Sequence, residues 1–158
     1  MSRFSVSIRF IGHETLGQID QIIAALSGSE LRVLRRGEIV PGNRIQPTDV
    51  VVLKLAGWTQ HYEHSTSQSG DEENWLAVAQ LLDQLVPKLA FLDRSECGVD
   101  LYISAVREED QGGLGLPVAL IRAASELQLP IEISIPVMFD DYGQEIAPPR
   151  SVEDAALG

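Results

Sequence analysis

The chain has 158 residues, of which 44% are hydrophobic, 22% charged and only 6% aromatic; this composition predicts one globular domain with a mainly aliphatic core and argues against disorder. Twelve Lys and Arg against 23 Asp and Glu leave a formal net charge of −11, the wrong sign for phosphate backbones or anionic membranes, so neither nucleic acid nor a membrane is an expected partner. Nowhere do about 18 apolar residues run together, and the opening MSRFSVSIRF alternates instead of presenting a basic region and an apolar block. The lone Cys97 has no partner for an internal disulfide, which fits a cytoplasmic setting.

Phe4, Val6, Ile8 and Phe10 alternate with Ser5, Ser7 and Arg9, the period-two pattern of a strand with one buried and one wet face. Gly12 ends it. Thr15 and Gln18 then make a capping-box spacing before a helix that places Leu16, Ile19, Ile22, Ile23 and Leu26 on one side, with Gly28 as its stop. Leu31 to Arg36 and Val50 to Ala56 read as two strands of a long hairpin, joined through Gly37, Pro41, Gly42, Asn43 and Pro47. The stretch GWTQHYEHSTSQSG is polar and ends as a loop, with Trp58 and Tyr62 extending the strand before it.

Asp71 is placed to cap a helix that carries Trp75, Leu76, Ala79, Leu82, Leu85, Val86 and Leu89 at three- and four-residue intervals. Pro87 should bend or divide it. Val99 to Val106 reads as the fourth strand, Pro117 opens a third helix over Val118 to Leu129, and Pro130 breaks it. Ile131, Ile133, Ile135 and Val137 alternate with Glu132 and Ser134 in a last strand. Between the fourth strand and third helix, EEDQGGLGLP lacks the Lys and Ser/Thr of a phosphate loop, the GxGxxG of a dinucleotide loop and the alternating oxygens of a calcium loop, and reads as a connector.

The order is βαββαβαβ: an α+β two-layer sandwich with a mainly antiparallel sheet and helices on one face. Its first six elements match a ferredoxin-like core, to which a helix and a strand are added. Residues 1–140 form one expected domain, and 141–158 a polar, flexible C-terminal tail.

Several patches, in order, carry a resemblance over residues 4–137: FIGHETL, LRRGE, LAGW, NWLAVAQLLDQLVPKLAFL, GVDLYISA and QGGLGLPVALIRAASELQLPIEISI. The chain resembles a family of small bacterial proteins classed only as a domain of unknown function. Arg36, Gly37 and Glu38 look like that family's basic-Gly-acidic step, Trp58 like its strand-end tryptophan, and Gly112 and Gly113 like its paired glycines. Gly115, Leu116 and Pro117 depart from it, standing where a polar helix cap is usual. The resemblance implies a small α+β domain without an established activity; some similar small bacterial domains are toxin-neutralising immunity proteins.

Among candidate sites, HYEH brings together His61, Glu63 and His64, residue types that zinc accepts, although a solvated loop is the simpler reading. His13 and Glu14 could serve as an acid and base, yet helix entry accounts for Glu14 equally well, and no nucleophile accompanies them. Acidic neighbours disfavour a reactive thiolate at Cys97. Arg32, Arg35 and Arg36 concentrate positive charge, either to receive a carboxylate or phosphate or to pair locally with Glu30 and Glu38. A ligand site is expected around Arg36, Trp58 and Tyr102, where cationic and aromatic groups would meet on an open sheet face.

No cofactor and no catalytic residue is expected. The leading functional expectation is a non-enzymatic cytoplasmic interaction domain that binds a basic protein, in an immunity-like role. The alternative is a small-molecule sensor or an enzyme that uses the open sheet face. A homodimer is expected, through that face or the last strand's edge.

Overall fold

The computed structural model describes residues 2–60, 69–107 and 114–135. Its elements are β1 (Ser2–Ile11), α1 (Ile19–Ala25), β2 (Leu31–Leu34), β3 (Ile39–Val40), β4 (Arg44–Ile45), β5 (Val50–Gln60), α2 (Ser69–Lys88), β6 (Gly98–Arg107), α3 (Val118–Glu126) and β7 (Ile131–Ser134). Five strands form one sheet in the order β2-β5-β1-β6-β7, and β3 with β4 forms a separate small hairpin. All pairings are antiparallel except β6 with β7. The fold is therefore α+β, with a mainly antiparallel mixed sheet.

The alternation of β1 explains its central place. Phe4, Val6, Ile8 and Phe10 are all buried, and they meet Val51 and Leu53 of β5 and Leu101, Ile103 and Ala105 of β6 in one core. The helices supply the other side of that core: Leu16, Ile19, Ile22 and Leu26 in and around α1, Trp75, Val78 and Leu82 from α2, and Leu120, Ala123 and Ala124 from α3. Side chains of the opposite parity, among them Arg9, Lys54, Tyr102 and Glu132, lie on the sheet face away from these helices.

One irregularity redirects β5. Val6 pairs with Ala56, but Ser7 pairs with Lys54, so Leu55 is an extra residue on the β5 side. Such a bulge exchanges the faces of everything beyond it. Val51 and Leu53 face the core before it, and Ala56 and Trp58 pack on that same core after it. Simple alternation from Val51 would have put Trp58 on the open side.

Several boundaries differ from the pattern in the sequence, each for a local reason. The Thr15–Gln18 capping box does not form: α1 starts at Ile19 with Gln18 as its N-cap residue and no side-chain cap. The Leu16 N–H instead donates to Asp49 Oδ2 at 3.0 Å, while Gln18 Nε2 donates to Gln21 Oε1 and to the Phe91 carbonyl, and Gln18 Oε1 accepts from the Asp93 N–H. Tertiary partners thus take over the helix entrance. β2 ends at Leu34, and the connection to β5 builds β3 and β4, turned through Gly42 and Asn43 at φ of 88° and 58°.

Asp71 lies inside the first turn of α2, whose start is Ser69. Pro87 falls one residue before the end of α2, so it does not divide the helix, and the Leu89 N–H still reaches the Leu85 carbonyl at 2.9 Å. Pro117 is the extended N-cap residue of α3. α3 ends at Glu126, short of Leu129, because Gln128 adopts a φ of 52° and the Leu129 N–H closes on the Ala124 carbonyl. The Arg94 guanidinium donates to the carbonyls of Leu127 and Gln128, which terminates that helix with a cation.

Candidate functional site on the open sheet face

The open face can be read as rows across the strands. Val52, Arg9 and Asp100 stand opposite one another on β5, β1 and β6, with Arg32 of β2 outside Val52. The next row is Lys54, Ser7, Tyr102 and Glu132, and the one beyond it Gly57, Ser5, Ser104 and Ser134. Small hydroxyl side chains therefore lie between cationic and aromatic ones.

Arg9 and Asp100 form the centre of this surface. Arg9 Nε donates to Asp100 Oδ1 at 2.8 Å and its Nη2 to Oδ2 at 2.6 Å, a two-pronged pair whose side chains are 30% and 14% exposed. The Arg9 guanidinium carbon also lies 4.1 Å from the centre of the Tyr102 ring. Bonding to Asp100 raises the Arg9 pKa further above its ordinary value, against the opposing effect of burial. Arg9 is thus a fixed, neutralised cation that orients Tyr102.

Beside it lies a shallow groove of about 210 Å³, lined by Ser7, Glu30, Leu31, Arg32, Val52 and Lys54. Glu30 stands at the mouth of β2, where its carbonyl accepts the Lys54 N–H at 3.1 Å. Ser7 is only 8% exposed.

Asp49 organises the opposite corner, where the loops from β1 and β2 meet the start of β5. Its carboxylate accepts the N–H of Leu16 at 3.0 Å and of Arg36 at 2.8 Å. Its backbone adds two more ties: Gly12 N–H to the Asp49 carbonyl at 3.0 Å, and Asp49 N–H to the Glu14 carbonyl at 3.1 Å. The backbone donors of Arg36 and Leu16 hold the carboxyl below its ordinary pKa, outweighing burial.

Arg36, Trp58 and Tyr102 are not brought together. Arg36 leaves the end of β2 and pairs with Glu14 at 3.2 Å. Tyr102 is on the open face with Arg9. Trp58 is on the helix side of the sheet, stacked on Phe4 at 5.2 Å and edge-on to Trp75 at 4.8 Å. Its Nε1 is enclosed and has no hydrogen-bond partner among the described residues.

The remaining candidates are distributed as follows. Arg35 approaches Asp20 at 3.7 Å, so the local partners of Arg35 and Arg36 are Asp20 and Glu14 rather than Glu30 and Glu38. Glu14 is committed to Arg36, and His13 is exposed. Cys97 is buried, and burial is the first cause that pushes its thiol pKa up. His61, Glu63 and His64 lie outside the described residues, as do Tyr62, residues 108–113 with Gly112 and Gly113, Val137, and the tail 141–158. Among the described residues no cluster of three His, Cys, Asp or Glu is arranged to hold a metal, and no helix is long and apolar enough to cross a membrane.

Reasoning from sequence missed Asp49, the Arg9–Asp100 pair and the groove. The alternation of β1 already marked Arg9 as outward-facing; what it could not supply was the register against a strand 91 positions away. No family model, curated protein or solved structure matches the chain.

Proposed function

We propose that the chain is a non-enzymatic interaction domain of the cytoplasm, which binds a basic protein through the outer surface of its helices in an immunity-like role. The observation that carries this reading is the segregation of charge. Asp20, Glu72, Glu73, Asp83, Asp93, Glu96 and Glu126 are exposed on the helices and their adjoining turns, against Lys88, Arg94 and Arg122. The open sheet face is nearly balanced, with Arg3, Arg9, Arg32 and Lys54 against Glu30, Asp100 and Glu132. A surface with an acidic excess steers a partner of opposite charge during encounter.

The strand order β2-β5-β1-β6, antiparallel throughout, supports reading the core as ferredoxin-like, with α3 and β7 as its addition. Membership of the small bacterial domain family rests on the sequence patches alone. A homodimer would form through the open sheet face or the edge of β7.

The test is capture of a partner from the native host, followed by association kinetics with that purified partner. A basic partner whose association slows as NaCl rises from about 0.05 to 0.5 M, and slows again with Asp83→Lys and Glu126→Lys, supports the reading. A salt-insensitive association rate, or an acidic partner, refutes it. A second reading, a small-molecule sensor, is favoured by the groove beside Ser7.

A further inference from the structure

We propose that the free edge of β7 is a dimer interface: two copies of this chain join their sheets by pairing β7 with β7 antiparallel, with Ile133 on the two-fold axis. This inference rests on the homodimer reading and chooses between its two surfaces. It is independent of partner binding by the helices.

β7 is the last strand of its sheet and has β6 as its one neighbour among the described residues. That pairing determines which backbone groups are left over. Leu101 stands opposite Ile131, and its N–H donates to the Pro130 carbonyl at 2.8 Å. In a parallel ladder a residue bonds to the two neighbours of the one it faces, so the groups turned toward β6 belong to Pro130, Glu132 and Ser134. Ile131, Ile133 and, one step past the strand, Ile135 turn both N–H and C=O outward. An edge of that kind is a template for a further strand.

The side chains of the same residues are aliphatic and uncovered. Ile131 and Ile133 share the face of Leu101 and Ile103, the core side of the sheet. Ile131 packs on that core, but Ile133 and Ile135 are 45% and 42% exposed. On that side α3 also exposes Val118 and Ile121. Charge guards the opposite edge, where β2 carries Arg32 and is followed directly by Arg35 and Arg36. In β7 the one charged residue is Glu132, which lies on the Tyr102 side, where Arg9 is near enough to offset it.

Symmetry and charge point to a second copy as the occupant. A two-fold axis normal to the sheet sets β7 antiparallel to itself and keeps both helix layers on one side. Centred on Ile133, it places Ile133 opposite its own copy and Ile131 opposite Ile135, so the outward groups all meet as hydrogen-bonded pairs. Glu132 then falls opposite Ser134. Centred on Glu132 instead, it would set two carboxylates face to face between chains that each carry a formal charge of −11. The open sheet face is the poorer surface for self-association, because Arg9, Arg32, Lys54, Asp100 and Glu132 would lose water there.

The experiment is sedimentation equilibrium on the full chain from about 1 to 200 μM, with a dimer expected at the upper end. Ile133→Lys puts like charges together on the axis, and Ile133→Pro removes an outward N–H that β6 does not use, a change that edge strands tolerate. Each should weaken dimerisation at least roughly tenfold, with circular dichroism verifying the fold. Cysteines read the register without disturbing Ile133. The double variant Glu132→Cys with Ser134→Cys should give a disulfide-linked dimer under mild oxidation, since the antiparallel pairs between hydrogen-bonded ones bring Cα atoms to about 4.5 Å. Glu132→Cys alone should not, and the native Cys97 is buried. A monomer at every concentration overturns the proposal and the homodimer reading together. A dimer that both Ile133 variants leave unweakened, or cross-linking of Glu132→Cys alone as readily as of the double variant, overturns the proposal while the homodimer reading stands.

Discussion

Trp58 stacks on Phe4 with ring centroids 5.2 Å apart and planes inclined by 21°. The contact exists because Leu55 is bulged out of register, which turns the end of β5 over and delivers an aromatic residue to the core side. Trp75 closes the cluster edge-on at 4.8 Å from Trp58. Trp58→Ala should therefore cost about 3 kcal/mol, the lower end of the range for aromatic truncation, since the side chain is half-buried. Trp58→Phe keeps an aromatic surface and removes the unpartnered buried N–H, so its cost should stay below about 1 kcal/mol. Urea unfolding of both variants checks this, and equal losses would refute the stacking account.

Arg9 and Asp100 should be energetically coupled. Their side chains are 30% and 14% exposed and joined by two bonds, so a double-mutant cycle of Arg9→Ala and Asp100→Ala should give about 1–2 kcal/mol, above the roughly 0.2–1 kcal/mol of fully exposed pairs. Arg9→Ala alone should be the more damaging change, because it strands the less exposed Asp100 carboxylate, whereas Asp100→Ala leaves a guanidinium that still rests on the Tyr102 ring. A coupling near zero would reduce the pair to a surface decoration.

Asp49 predicts an acid-side loss of stability. Its folded pKa is depressed by the N–H groups of Arg36 and Leu16; its contribution is therefore complete above the unfolded value, about 3.9, and is lost as pH falls through the lower folded value. Asp49→Asn should flatten the stability profile in that acid window. Asp49→Ala should cost about 1–3 kcal/mol at neutral pH by stranding two backbone donors. Denaturant midpoints measured from pH 7 down to about pH 2 test both statements; an unchanged acid slope in Asp49→Asn would assign the loss to other carboxylates.

Cys97 should behave as an inert core thiol in the folded chain. It is 4% exposed and burial raises its pKa, so alkylation by iodoacetamide at pH 8 should be slow in buffer and fast in denaturant. Labelling as fast in the native protein as in the unfolded one would contradict the burial.

Periodicity alone carried a good part of this fold. The alternation in Phe4 to Phe10 determined which face of β1 is buried, and the spacing of Trp75, Ala79, Leu82, Leu85 and Leu89 marked the inward side of α2, although Leu76 and Val86 of the same pattern are exposed and Val78, outside it, is buried. These are local signals, encoded within one element and readable without knowing its neighbours. The short hairpin β3–β4 escaped because strands of two residues leave no period to detect.

What tertiary structure decided was everything that depends on register between distant segments. A bulge at one residue carried Trp58 away from Tyr102, and so dissolved the expected meeting of Arg36, Trp58 and Tyr102. Pairing across 91 positions joined Arg9 to Asp100, and pairing across 33 brought the Asp49 carboxylate to Leu16. The groove formed only where β2 and β5 set Glu30, Arg32 and Lys54 side by side. Alternation determines which way a side chain points; only the pairing of strands determines what it meets.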